Sequence, residues 1–423
     1  DEALSPEQKK LLDETLRSYK RLGLDLPVET SDEVKKSFQE LTELGTKFHK
    51  NINEWKDQVA VTRDELEGMS ESYIAGLKRD DTGNYLVTLQ YPDLVPFMES
   101  AKSSARRKEL ADKNAQNGGR ENIELLQRMV LLRKKNAELL GYANYGDYRT
   151  EERMAKSSAN VQDFLGGLLP RVQELVTRDI AEISALKEKE EGDATIQYYD
   201  LAYYARAHKK ATCDIDDDLL RPYFPLEKVI VGTFALYGGL FGVTFERVEG
   251  FPLWHESVAL YCVKDKGGET LGHFFFDLYP RENKYSHAAV FNVVDGHVDM
   301  QGGAPVRVLP VGALVTNFPK PTAEYPSTLS HGEVETFLHE FGHCIHLMLS
   351  NTHYAAQSSF NVAWDFVEAP SQMLENWAWH DESLKLISGH VKTRESLPAE
   401  IVANLQKSKL HFVGYDIMRQ MVL

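Results

Sequence analysis

Through most of the first half of the chain, apolar residues recur every three or four positions, the period with which an α-helix buries one stripe. Ser5-Pro6 followed by Gln8 supplies an N-cap, a proline at the first helical position and a reciprocal cap, and Gly23 supplies a stop. A helix is predicted between them. A second begins near Ser31 and sets Val34, Phe38, Leu41, Phe48, Ile52 and Trp55 on one stripe over about 25 residues. Thr62 with Glu65 forms another capping box, and Ile123 to Leu140 is a further amphipathic run that stops at Gly141. Tyr85-Leu-Val-Thr-Leu89 reads as a short strand, an isolated exception among helices. The charged run Lys187 to Asp193 reads as a solvated helix end or loop.

Later in the chain the pattern changes. Ser257 to Lys264 and Thr270 to Tyr279 flank Asp265-Lys-Gly-Gly268, a hairpin turn, and Ala288 to Val294 and Val306 to Val315 follow as short extended runs. They predict a small sheet. Each strand is either core or an exposed edge, and an edge holds an extended peptide through main-chain hydrogen bonds. No linker rich in Pro, Gly or Ser divides the chain, so the organisation is read as a helical region, 1–210, followed by a region with the sheet and two site helices, 211–423.

With 423 residues, 42% hydrophobic and 26% charged, the chain buries a large core. A formal charge of −16 argues against a nucleic-acid partner, and no apolar run reaches the roughly 18 residues that cross a bilayer. Three cysteines, Cys213, Cys262 and Cys344, are too few and too scattered for a disulfide scaffold, which points to a reducing compartment.

The chemistry concentrates in Phe337-Leu-His-Glu-Phe-Gly-His-Cys-Ile-His346. His339 and His343 stand one turn apart on a helix face, where both can hold one zinc ion, and Glu340 flanks that face as a general base for a bound water. The apolar flanks Phe337, Leu338, Phe341, Ile345 and Leu347 make this a buried helix, and buried His and Glu need partners. Metzincins place Gly three residues after the second His and a third His three residues later; here those positions are His346 and Leu349. That class is excluded. His346 shares the stripe but lies about 10 Å along the axis from His339, too far to bind the same ion, and is read as structural. Cys344 is turned away from the stripe and is read as packing. For a third ligand the residues alone leave Glu368 and Glu375 open, seven positions apart on one polar stripe with Asp365 and Gln372.

The two segments HEFGH and DFVEAPSQMLENW together resemble the thimet oligopeptidase and neurolysin family of zinc metallopeptidases. The likeness extends to Phe275–Arg281, Lys284–Ala289 and Asn317–Thr322, and more weakly to nearly the whole chain. It implies Glu368, 25 residues after His343, as the third ligand, with Asp365 and Glu375 holding the ligand imidazoles by their other nitrogens. By analogy His287 touches substrate or the site wall, against the alternative of a satisfied core histidine. The implied fold is mainly α, an elongated two-lobed helical peptidase with a deep channel and a small sheet containing antiparallel strands beside the metal helix.

The implied activity is zinc-dependent hydrolysis of internal bonds in short unstructured peptides, one Zn²⁺ per chain, with Glu340 activating the zinc-bound water. Short peptides are the expected partners, with no nucleic acid and no membrane, on a monomer. The compartment is read as cytoplasmic, a mitochondrial one staying open because a targeting signal would lie upstream. The family pattern runs past both ends of this sequence, its C-terminal continuation carrying a loop whose His and Tyr stabilise the oxyanion. The expectation is therefore an internal portion of a larger enzyme, its remaining parts existing elsewhere, as separate chains in one case. The alternative expectation is a zinc- and peptide-binding fragment with weak or no turnover.

Overall fold

The computed structural model describes every residue except 1–2, 216, 282–283, 286, 322–324 and 423, so Ser286 and Thr322 of the segments quoted above lie outside the described residues. Among the described residues the fold is mainly α with three small sheets. It divides into two compact units, one of residues 17–151, 155–214 and 410–423, the other of residues 1–16, 152–154 and 215–409.

Capping chemistry sets the first helices. Ser5 N–H donates to Gln8 Oε1 at 2.8 Å and Gln8 N–H to Ser5 Oγ at 3.3 Å, starting the helix Pro6–Arg21. Gly23 ends it at φ +79°, a conformation that costs glycine nothing. The second helix, Val28–Asn53, starts three residues before the predicted point because Pro27 turns the chain at its N-cap, and Trp55 falls past its end. The Thr62–Glu65 box forms, with Thr62 N–H on Glu65 Oε2 at 2.9 Å, yet it closes only the single turn Asp64–Leu66.

The strand predicted at Tyr85 is not isolated. β1 (Gln58–Val61), β2 (Lys78–Arg79) and β3 (Tyr85–Thr88) form an antiparallel sheet with β3 in the centre. Alternate residues Val59, Val61, Tyr85 and Val87 turn inward against Leu66, Phe97 and Leu110. Two-residue β2 is too short to leave a periodic signal. The charged run is an exposed helix end as read, except at its first residue. It ends the long helix Ser158–Glu191, but Lys187 is only 4% exposed and is paired with Asp200.

The second unit carries β4 (Thr244–Val248), β5 (Ala259–Lys264), β6 (Thr270–Asp277), β7 (Ala289–Val294), β8 (His297–Gln301), β9 (Ala304–Val308) and β10 (Val311–Val315). Five of them make a sheet in the order β4-β5-β6-β10-β7; β6 and β10 run parallel and the other pairs antiparallel, while β8 and β9 form a separate hairpin. The single run predicted from Val306 to Val315 is therefore two strands. Pro310, which has no N–H to give a ladder, stands between them. Edge strand β7 is antiparallel to β10 and leaves Phe291 and Val293 exposed.

A cluster of rings joins this sheet to the helices Leu226–Phe241 and His331–Met348. The Phe341 ring lies 5.2 Å from Tyr237, 5.4 Å from Phe245 and 5.6 Å from both Phe234 and Phe274, distances at which aromatic pairs attract beyond their buried area. The buried Tyr237 hydroxyl is satisfied by the Leu338 carbonyl at 3.2 Å.

At the end of β6, Asp277 is 3% exposed and takes both arms of Arg281 at 2.6 and 2.7 Å, Trp254 Nε1 at 3.0 Å and Lys284 Nζ at 3.1 Å. Burial alone would raise its carboxyl. The hydrogen bonds from Arg281, Trp254 and Lys284 win and lower it from 3.8 to about 2. A depressed acid stabilises the fold above its unfolded value and loses that contribution as pH falls through its folded one. Asp277→Asn is accordingly expected to cost about 2 kcal/mol near neutral pH, the difference from the parent shrinking between about pH 4 and pH 2 in urea titrations. A pH-independent difference would refute this account. Among the described residues no helix is long and apolar enough to cross a membrane.

Candidate active site

The helix His331–Met348 begins with a capping box that the sequence reading did not single out. Ser330 Oγ accepts the Glu333 N–H at 3.2 Å and Glu333 Oε2 accepts the Ser330 N–H at 2.7 Å. Val334, Phe337, Leu338, Phe341, Cys344, Ile345, Leu347 and Met348 are each at most 2% exposed, so the helix is fixed by its apolar faces. Gly342 lets a second segment come close: a Cβ there would meet Ser371 Cα at 2.8 Å. That segment is the short helix Ala369–Glu375. It is shorter than the predicted stripe, because Pro370 sits in its first turn and residues 364–368 form turns ahead of it.

The close approach brings three donors together. Glu368 Oε2 lies 3.2 Å from His339 Nε2 and 3.0 Å from His343 Nε2, and one ligand atom from each residue falls within 4.8 Å of the others. Ligand atoms around a tetrahedral zinc stand about 3.3 Å apart, so this donor set fits such an ion. His339 Nδ1 is 2.6 Å from Glu375 Oε1. That bond raises the imidazole's pKa, while burial lowers that of His343. Ser371, fully buried, shares its one hydroxyl proton between the Glu368 carbonyl at 2.9 Å and Glu368 Oε2 at 3.0 Å, which holds the carboxylate close to its own backbone.

Glu340 is 7% exposed beside these groups, and burial pushes its carboxyl up to about 7, with His339 and a backbone bond from Val290 of β7 pulling the other way. A poised carboxyl of this kind suits proton transfer near neutrality.

The remaining site residues are placed less centrally. Asp365 accepts the backbone N–H of Met154 at 2.9 Å, and among the described residues the buried Nδ1 of His343 has no hydrogen-bond partner. The ring edge of Phe360 instead packs against both His343 and His346, at 5.6 and 6.2 Å. His346 is half-buried, which lowers its pKa, and stands outside the three-residue donor group. His287 is exposed on the loop before β7, its ring 5.6 Å from that of Tyr285. Sequence reasoning missed Ser371 and Phe360. Ser371 had a usable signal, its three-residue spacing from Glu368; Phe360 had none.

Residues 97–423 match the model of a family described as "Peptidase family M3". The chain is 34% identical to the thimet-like oligopeptidase of Dictyostelium discoideum, over 99% of its own length and 64% of that protein's. It is 33% identical to oligopeptidase A of Escherichia coli, over 99% of the chain and 63% of the relative, and 34% identical to saccharolysin of Saccharomyces cerevisiae, over 96% and 61%. A helix bearing His-Glu-x-x-His opposite a glutamate thus occurs in a chain of peptidase likeness throughout. The chain belongs to peptidase family M3. It spans a little under two thirds of the length of these relatives.

Proposed function

We propose that this chain carries the zinc centre and general base of an endopeptidase that hydrolyses internal bonds of short unstructured peptides. The convergence of His339, His343 and Glu368 within 4.8 Å, beside a buried Glu340, carries the reading. His339, His343 and Glu368 hold the metal. When bound, zinc polarises the scissile carbonyl and acidifies the attacking water. Glu375 orients the His339 ring and Ser371 the Glu368 carboxylate, so the donors are set before the ion arrives. Glu340 takes the proton of the attacking water and delivers it to the leaving amine.

The substrate lies extended along β7. This strand is an edge, three of its residues, Phe291, Asn292 and Val293, are exposed, and its Val290 backbone adjoins Glu340, so a peptide added to it would present its main chain to the base. Such binding reads few side chains, which suits varied short peptides.

Elemental analysis of the purified chain is expected to find one zinc per chain, and cleavage of a quenched fluorescent peptide is expected to stop with chelator and return with zinc. Single replacements His339→Ala, His343→Ala and Glu368→Ala each abolish stoichiometric zinc and cleavage together, since each removes one of three protein ligands. Full zinc occupancy in any of the three would refute the ligand set.

A further inference from the structure

We propose that Asn317 and Lys284 are positioning residues for the peptide, clamping the backbone that leads into β7 and so setting where an extended substrate lies against Glu340. This rests on the peptide-hydrolysing reading above. The Lys284 side chain is 3% exposed, and its Nζ donates to the carbonyls of Asp277 at 2.8 Å, Tyr279 at 2.6 Å and Thr316 at 2.5 Å while pairing with Asp277 Oδ1 at 3.1 Å. An ammonium has three N–H groups, and these acceptors use all of them. None is left for a ligand. The acceptors belong to the ends of two neighbouring strands, β6 and β10, so the lysine ties both to the residue from which the chain departs toward β7.

Asn317 completes the tie from the other side. It follows Thr316, whose N–H is on the Asp277 carbonyl at 3.0 Å and whose hydroxyl is on the Leu278 carbonyl at 3.0 Å. Its Nδ2 donates to the carbonyls of Tyr285 at 3.0 Å and His287 at 3.3 Å. The backbone is therefore held at residues 284, 285 and 287, just before β7 opens at Ala289. A central strand is located by two neighbours, but among the described residues β7 pairs with β10 alone. Its position depends on the turn that delivers it, and three residues beyond His287 its Val290 backbone meets the base.

The test compares two probes on the zinc-loaded full chain by calorimetry: acetohydroxamate, which engages only the metal, and a short peptide hydroxamate, which also needs the strand. Asn317 is half-buried and lies outside the apolar core, so Asn317→Ala and Asn317→Asp leave that core intact. The preference for the peptide probe over acetohydroxamate is expected to fall about tenfold in both variants, as for one or two lost hydrogen bonds, with acetohydroxamate affinity and zinc content unchanged. An unchanged preference overturns the inference, and so does equal weakening of both probes, which would mark a general effect on the fold. If the parent chain holds zinc but binds the peptide probe no more tightly than acetohydroxamate, the peptide reading itself fails. An unchanged preference in variants of a peptide-preferring parent removes the inference alone.

Discussion

Glu340→Gln is expected to lower kcat/KM for a quenched fluorescent peptide by roughly 10³-fold while leaving one zinc per chain, since a positioned general base is worth roughly 10²–10⁴ in rate. The substitution is nearly isosteric in a site where Glu340 is only 7% exposed, so it opens no cavity. It also introduces no charge change that the fold would resist. Burial already pushes the carboxyl up to about 7, so the neutral form that glutamine mimics is one the surroundings accommodate. Glu340 stands outside the donor group of His339, His343 and Glu368, so the metal has no reason to leave. The paired readout separates two roles. Loss of zinc along with activity would make Glu340 a ligand or a support of one, and activity within tenfold of the parent would remove it from the chemistry.

Much of this site was legible because its signals are local. The metal helix shows itself through an apolar run interrupted by four polar residues, His339, Glu340, His343 and His346, and the spacing of His339 and His343 puts them on one face whatever surrounds them. Glu368 was legible only by resemblance. Its distance from His343 along the chain says nothing of distance in space, and the approach depends on Gly342 having no Cβ to strike Ser371. The predicted stripe from Asp365 to Glu375 overreached for a related reason. Helical periodicity does not register that Pro370 favours a helix start, which leaves Asp365 in a turn with its carboxylate on the Met154 backbone. Strands at Thr244–Val248 and His297–Gln301 escaped notice because each is only five residues long and mostly polar or exposed, too short a run to stand out from a loop. Lys187 shows the same limit from the other direction. A lysine in the charged run at the end of a helix is solvated by every local rule, and only the fold reveals an aspartate thirteen residues on that buries it.

That aspartate is where a single substitution is expected to cost the fold most. Asp200 and Arg107 are fully buried and Lys187 nearly so, which puts two cations and one carboxylate out of water together. Asp200 Oδ1 takes Arg107 Nη2 at 2.8 Å and Oδ2 takes Lys187 Nζ at 2.9 Å, so one carboxylate pairs with both cations. The remaining donors are satisfied by backbone, Arg107 on the carbonyls of Ala101, Lys102 and Tyr199 and Lys187 on that of Thr195. Among the described residues nothing else buried there carries a negative charge; Glu191 and Asp193 reach Lys187 only at 3.8 and 3.7 Å from exposed positions. Asp200→Asn keeps the shape and one acceptor oxygen but leaves two cations in a low-dielectric interior with no buried anion. Breaking a buried pair in this way costs about 3–5 kcal/mol. Urea titration should show that loss, whereas replacing Arg128, whose pair with Glu40 lies in solvent, should change stability far less. The cost follows from desolvation rather than from the number of hydrogen bonds removed. Asp200→Asn within about 1 kcal/mol of the parent would mean that water reaches Arg107 and Lys187 and that their burial is only apparent.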